Sequence, residues 1–357
     1  MENGISVYPG LDNTLEENLA LIELAASCGI KRLFTSLHIP ETDADTLRKE
    51  VGPVLQAAKA HHMEVISDVT PGAMELLGIQ ESNISAFRMR GITTLRLDDG
   101  YSPEEIAKLS RNKQGTRIQL NASTMTGKLL TALINAKTNF GNIDALHNFY
   151  PRPGTGLSEE AIVRKTVMLH KAGIGVGAFV PSQRKKRSPL FDGLPTLEDH
   201  RQMEPGLAAR HLIALGIDSV FIGDCLPDER ELRAIASLRA DQISIRAKML
   251  TKDPVQQELL GNTFTSRVDE ARDAIRAQES RGLVSGPIYP ENTIERRPGD
   301  ITIDNEGYLR YMGELEIIKT PQPADRRTNV AARVLEDEVF LLDYITPGRK
   351  FSFLFEE

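Results

Sequence analysis

Thr93-Thr94-Leu95-Arg96-Leu97-Asp98-Asp99-Gly100 alternates apolar and charged side chains with the two-residue period of a β-strand and ends in a carboxylate pair. Leu95 and Leu97 are expected to pack beneath helices, which leaves Thr94, Arg96 and Asp98 on the opposite face. A charged arginine on the inner face of a buried strand is costly unless it meets an acid or an anionic ligand, so that face should line a polar site. Asp99 then points outward as a turn or cap residue.

Working outward, the same pattern recurs at Ile5 to Pro9, Leu33 to His38, Glu64 to Val69 and Arg117 to Asn121, and again at Ile143 to Phe149, Ile174 to Val180 and Ser219 to Asp224. Segments of helical spacing separate these runs. Leu15, Leu19, Ile22 and Ala26 follow a capping box of Thr14 with Glu17, and Ser102-Pro103-Glu104-Glu105 opens a second helix. Regular strand and helix alternation implies a parallel sheet with helices outside, and about eight units in about 240 residues fit a closed (β/α)8 TIM barrel, an α/β fold. A doubly wound open sheet is the alternative, weakened because no G-x-G-x-x-G follows the first strand. The expected barrel covers residues 1–240. Residues 241–357 change character, with Asp300 to Asp304 followed by Asn305-Glu306-Gly307 and Tyr308 to Tyr311 reading as a hairpin of a smaller, mostly β domain.

The chain has 357 residues, 40% hydrophobic and 26% charged, with a formal charge of -7 that disfavours nucleic acid as a partner. Cys28 and Cys225 show neither metal spacing nor a disulfide framework, which suits a reducing cytoplasm. The sequence calls for no membrane partner and no cofactor: no leader-like stretch precedes the first strand, and no segment has the length and apolarity of a membrane span.

In a barrel the C-terminal strand ends surround the active site. Here they offer Tyr8, His38, Asp68, Asp98, Asn121, His147, Asn148 and Asp224, with Glu41 just after the second strand and Arg96 on the inner face. Carboxylates with amides, an imidazole and a tyrosine suit acid–base work on a polyhydroxylated substrate. Any strand-end acid can equally be a helix cap, and Asp224 before Pro227 is a serious case. Arg152, Gly154, Thr155 and Gly156, in a glycine-rich loop before a helix at Glu159, suit a phosphate or carboxylate. Arg184-Lys185-Lys186-Arg187 reads as a solvated loop, or as an attractor for an anionic sugar if ordered over the mouth. No inward strand lysine, G-x-S-x-G or H-E-x-x-H occurs, and no clustered spacing supports a metal on His38, Asp68, Asp98 or His147.

Ile5 to Pro9, Leu33 to Glu41, Leu95 to Asp98, Leu120 to Thr124, His147 to Pro153, Gly193 to Glu198, Ile222 to Asp224 and Arg297 to Asp300 together resemble the 6-phospho-N-acetylmuramidase (MupG-type) family. The resemblance covers nearly the whole chain. It implies a barrel followed by a cyclophilin-like β domain, and a cytoplasmic glycosidase of peptidoglycan recycling acting on the disaccharide of 6-phospho-N-acetylmuramic acid and N-acetylglucosamine. Asp98 and Asp68 are then the expected acidic pair, with Glu41 in reserve for either role. Tyr8, His38, Asn121, His147, Asn148 and Asp224 would hold the sugars, and Arg152 with the Gly154 to Gly156 backbone, helped by Arg297, would hold its phosphate or lactyl carboxylate. A metal-dependent sugar-phosphate isomerase or lyase, and a non-catalytic phosphosugar-binding protein, remain open alternatives.

Overall fold

The structure, a computed structural model, describes residues 2–37, 39–68, 78–79, 84–98 and 100–355. It forms two compact units, Met1–Leu238 and Arg239–Glu357.

The first unit is a closed barrel of eight parallel strands: β1 (Gly4–Ser6), β2 (Arg32–Thr35), β3 (Glu64–Asp68), β4 (Thr94–Leu97), β5 (Arg117–Asn121), β6 (Ile143–Leu146), β7 (Gly175–Val180) and β8 (Ser219–Ile222). Closure is made by β1 and β8, where Gly4 opposes Phe221 and Ile5 opposes Ile222. That pairing excludes the open doubly wound sheet. Leu33, Val65, Leu95 and Ile118 are buried on the outer face, as the two-residue period requires. Helices start where their caps predict: Thr14 with Glu17 and Ser102 with Glu105 both form reciprocal capping boxes.

The inner face carries charge deep in the barrel. Arg32 reaches Asp144 Oδ2 at 2.5 Å and Glu64 Oε2 at 3.0 Å, and Gln119 Nε2 donates to the other Asp144 oxygen at 3.0 Å. Removing Arg32 would leave the buried Asp144 carboxylate without a counter-charge, a loss of about 3–5 kcal/mol. On the side of β1, β2, β7 and β8 the interior is aromatic, with the Phe179 ring meeting Phe34 at 5.4 Å and Phe149 at 5.0 Å between centroids. The polar residues of the inner face thus fall mainly on β3 through β6.

The second unit is a seven-stranded sheet ordered β10-β15-β9-β14-β12-β13-β11. Its strands are β9 (Gln242–Met249), β10 (Thr263–Thr265), β11 (Ala274–Arg276), β12 (Asp300–Asp304), β13 (Leu315–Ile318), β14 (Thr328–Val334) and β15 (Lys350–Phe355). The expected hairpin partner of Asp300 to Asp304 is corrected here: β12 pairs with β13, while Glu306–Tyr311 is a 3-10 segment. The Asn305 side chain accepts from the Gly307 amide at 3.0 Å and caps that segment, so its aromatic alternation never forms a ladder. Arg297 lies in the turn entering β12, its amide donating to Asp300 Oδ2 at 2.7 Å.

Candidate active site

Register sorts the strand-end residues before any side-chain contact is considered. Asp68, Arg96, Gln119 and Asp144 are consecutive partners across β3 to β6 and share the inner face. Two residues further along each strand, Asp98, Asn121 and Leu146 face inward as well, and Asn148 continues that row. Arg96 is 3% exposed and donates from Nη2 to Asn148 Oδ1 at 2.5 Å, while its Nε lies 3.8 Å from Asp68 Oδ1. Its guanidinium also stands 5.5 Å from the Phe34 ring centre. Asn121 Nδ2 donates to Asp98 Oδ1 at 2.6 Å, and its own Oδ1 accepts from the Ser123 amide at 2.9 Å. Two carboxylates therefore belong to one inward surface: Asp68 against a buried cation, and exposed Asp98 against an amide.

The same alternation corrects two expectations. His147 sits between inward Leu146 and Asn148, so it faces the helix layer, fully buried. Burial lowers its pKa to about 3, so the ring is neutral. Ser123 Oγ accepts from the Asn148 amide at 2.9 Å and lies 3.1 Å from His147 Nδ1. Either tautomer of the neutral ring keeps this contact, because the Ser123 hydroxyl can donate to Nδ1 or accept from it. His147 thus props Ser123 and Asn148 from behind. Asp224 also faces outward, one residue past inward Gly223, and is completely buried. It accepts from the amides of Ser182 at 2.9 Å, Arg187 at 3.0 Å and Leu194 at 3.2 Å, which makes it the anchor of the loop after β7. Burial pushes its carboxyl pKa up against the pull of those amides.

Tyr8 faces inward, yet it is 2% exposed and its hydroxyl donates to the Gly223 carbonyl at 2.8 Å. Glu41 is exposed after β2. His38 and Asp99 lie outside the described residues.

The glycine-rich loop binds an anion, and that anion is the chain's own. Gly154 N donates to Glu198 Oε1 at 2.9 Å and Gly156 N to Oε2 at 2.7 Å, while Arg201 closes the carboxylate from the far side at 2.8 Å and 2.7 Å. The expected anion pocket at Gly154 and Gly156 is therefore filled by Glu198. Thr155 turns its hydroxyl to the Arg152 carbonyl at 2.6 Å. Arg152 itself is exposed, and its guanidinium has no partner among the described residues.

Two family models cover the chain: the N-terminal region of 6-phospho-N-acetylmuramidase matches residues 3–237 and its C-terminal region matches residues 243–354. The chain belongs to the 6-phospho-N-acetylmuramidase family. An uncharacterised B. cereus protein has a similar structure, with 31% identity over 99% of this chain and 100% of its own, at a TM-score of 0.82. A conserved Enterococcus faecalis protein of unknown function is 32% identical over 100% of this chain and 97% of its own, at a TM-score of 0.69. No curated protein matches the sequence.

The family name implies a phosphorylated muramyl sugar, an anion that cationic side chains would meet. Arg184 pairs with Asp228 at 2.5 Å and Lys185 with Glu17 at 3.4 Å. Arg187 alone of the basic run turns inward, 8% exposed, with its guanidinium 5.0 Å from both the Tyr8 and Phe149 rings. Sequence reasoning had no signal for the Glu198 latch, because its amide partners lie 44 and 42 residues away. Among the described residues no group of three or more His, Cys, Asp and Glu converges as a metal site, and no helix is long and apolar enough to cross a membrane.

Proposed function

We propose that this protein is a glycoside hydrolase that cleaves the bond between 6-phospho-N-acetylmuramic acid and N-acetylglucosamine in peptidoglycan recycling. The observation that carries the reading is the pair of inward carboxylates in two environments, Asp68 beside buried Arg96 and Asp98 beside Asn121. Asp98 takes the acid role. With Oδ1 accepting from Asn121, its other oxygen carries the proton that passes to the leaving glycosidic oxygen as the anomeric bond breaks. Asp68 takes the ionised role, because a carboxylate facing a guanidinium is suited to stabilise positive charge at the anomeric carbon or to activate the incoming group. Glu41, exposed after β2, is the reserve for either.

Asn121 and Asn148 hold sugar hydroxyls or the N-acetyl group, and Arg152 draws in the anionic end from the rim. A cytoplasmic setting fits the free thiols Cys28 and Cys225. The test is incubation of purified protein with the 6-phosphorylated and the unphosphorylated disaccharide, with products followed by mass spectrometry. Release of N-acetylglucosamine from the phosphorylated sugar in preference is expected. Intact substrate, or equal release from both, would count against the reading.

A further inference from the structure

We infer that Arg187 is the residue that recognises an oxyanion of the substrate at the barrel mouth, a role that rests on the phosphosugar reading above. Arg187 can be set beside Arg32 and Arg96, the two buried arginines of the inner strand face. Arg32 has Asp144 and Glu64, and Arg96 has Asp68. Arg187 is nearly as buried, at 8% exposed, and no carboxylate among the described residues lies within ion-pair distance of its guanidinium. A desolvated charge without a counter-charge is costly. The Tyr8 and Phe149 rings, each 5.0 Å from its central carbon, return part of that cost as cation–π attraction.

The side chain is also held in place. Its Nε donates to the Ser188 carbonyl at 3.2 Å, and its own amide donates to Asp224 at 3.0 Å. Asp12 takes the next amide, that of Ser188, at 2.8 Å. Two buried or half-buried carboxylates thus fix the backbone on either side of the guanidinium while leaving the guanidinium itself unneutralised. Its Nη groups have no hydrogen-bond partner among the described residues. A planar fork pre-positioned in this way matches the paired oxygens of a phosphate or a carboxylate. Phe149 also meets the Phe34 ring at 6.2 Å, and that ring lies 5.5 Å from the Arg96 guanidinium, so the cation adjoins the inward polar row.

A 6-phosphate and a lactyl carboxylate offer the same chemistry, and calorimetric titration separates them. Wild type, Arg187→Gln and Arg187→Lys are titrated with N-acetylmuramic acid 6-phosphate, N-acetylglucosamine 6-phosphate and N-acetylmuramic acid. Loss of a charge-assisted contact should weaken binding by about tenfold or more in Arg187→Gln. A loss seen with N-acetylglucosamine 6-phosphate and spared with N-acetylmuramic acid supports the inference with phosphate as the anion, and the reverse supports it with the carboxylate. Equal loss on all three ligands, unchanged binding, or no binding by wild type overturns it. Arg187→Lys keeps the charge without the fork and should fall between the two, and it carries the same comparison if the glutamine variant does not fold. Absence of turnover with this binding pattern intact would defeat the glycosidase reading alone.

Discussion

Replacing Glu198 by glutamine should destabilise the barrel in a way that depends on pH. The Glu198 carboxylate accepts four donors, two from Arg201 and one each from the Gly154 and Gly156 amides. Hydrogen bonding from Arg201 first, then from the two amides, outweighs the opposing effect of burial and lowers its pKa from 4.5 to about 2. The unfolded chain therefore binds the proton more tightly than the folded one. The resulting stability is complete above about pH 4.5 and is lost as the pH falls toward about 2. A gap of roughly 2.5 pH units corresponds to a ceiling of about 3.4 kcal/mol. With the side chain 30% exposed, solvent screening reduces this to about 2 kcal/mol. Glutamine retains one acceptor oxygen and turns an NH2 group toward donors that need an acceptor. Scanning calorimetry of wild type and Glu198→Gln at pH 7 should give a melting temperature lower by roughly 4–8 °C in the variant, and the gap should narrow steadily below pH 4.5. A gap that stays constant with pH would refute the electrostatic origin, and no gap at all would refute the latch.

Asp224→Asn should cost about 1–3 kcal/mol, because an amide cannot accept all three backbone N–H groups that the carboxylate now holds, and hydrogen exchange at Ser182, Arg187 and Leu194 should accelerate. In the second unit, burial raises the Asp304 pKa to about 7 despite the Thr328 hydroxyl, with Glu316 and Glu314 adding to the effect. The folded state there holds its proton longer than the unfolded state, so stability falls as the pH rises from about 4 through 7. Asp304→Asn should raise the melting temperature at pH 8 and change it little at pH 4. Arg152→Ala should raise the Michaelis constant only modestly, by about 1 kcal/mol or less in binding, because the guanidinium is exposed and screened.

The fold was legible because one physical rule repeats. Strands such as Leu95-Arg96-Leu97 must alternate to place apolar groups under helices, and the capping boxes at Thr14 and Ser102 mark where those helices begin. The rule carried further than strand limits suggest: applied past Leu146 and Ile222, it sends His147 and Asp224 outward and Asn148 inward. Collecting strand-end residues by chemistry alone put all three in one group. The Tyr308 to Tyr311 run shows the opposite error, since aromatic alternation imitates a strand where the Asn305 cap winds a 3-10 turn. Glu198 and Arg187 were hidden for a different reason. Each acquires its meaning from partners tens of residues distant, an amide pair in one case and two aromatic rings in the other, and no local period encodes such contacts.

The most direct measurement is the steady-state rate of N-acetylglucosamine release from the 6-phosphorylated muramyl disaccharide by wild type and by Asp98→Asn, with both proteins checked for equal melting temperature. Wild type should turn the substrate over, and removal of the acid should lower the rate by about 10²–10⁴. No release by wild type, or equal rates for the two proteins, would contradict the assignment of the inward carboxylates to glycoside cleavage.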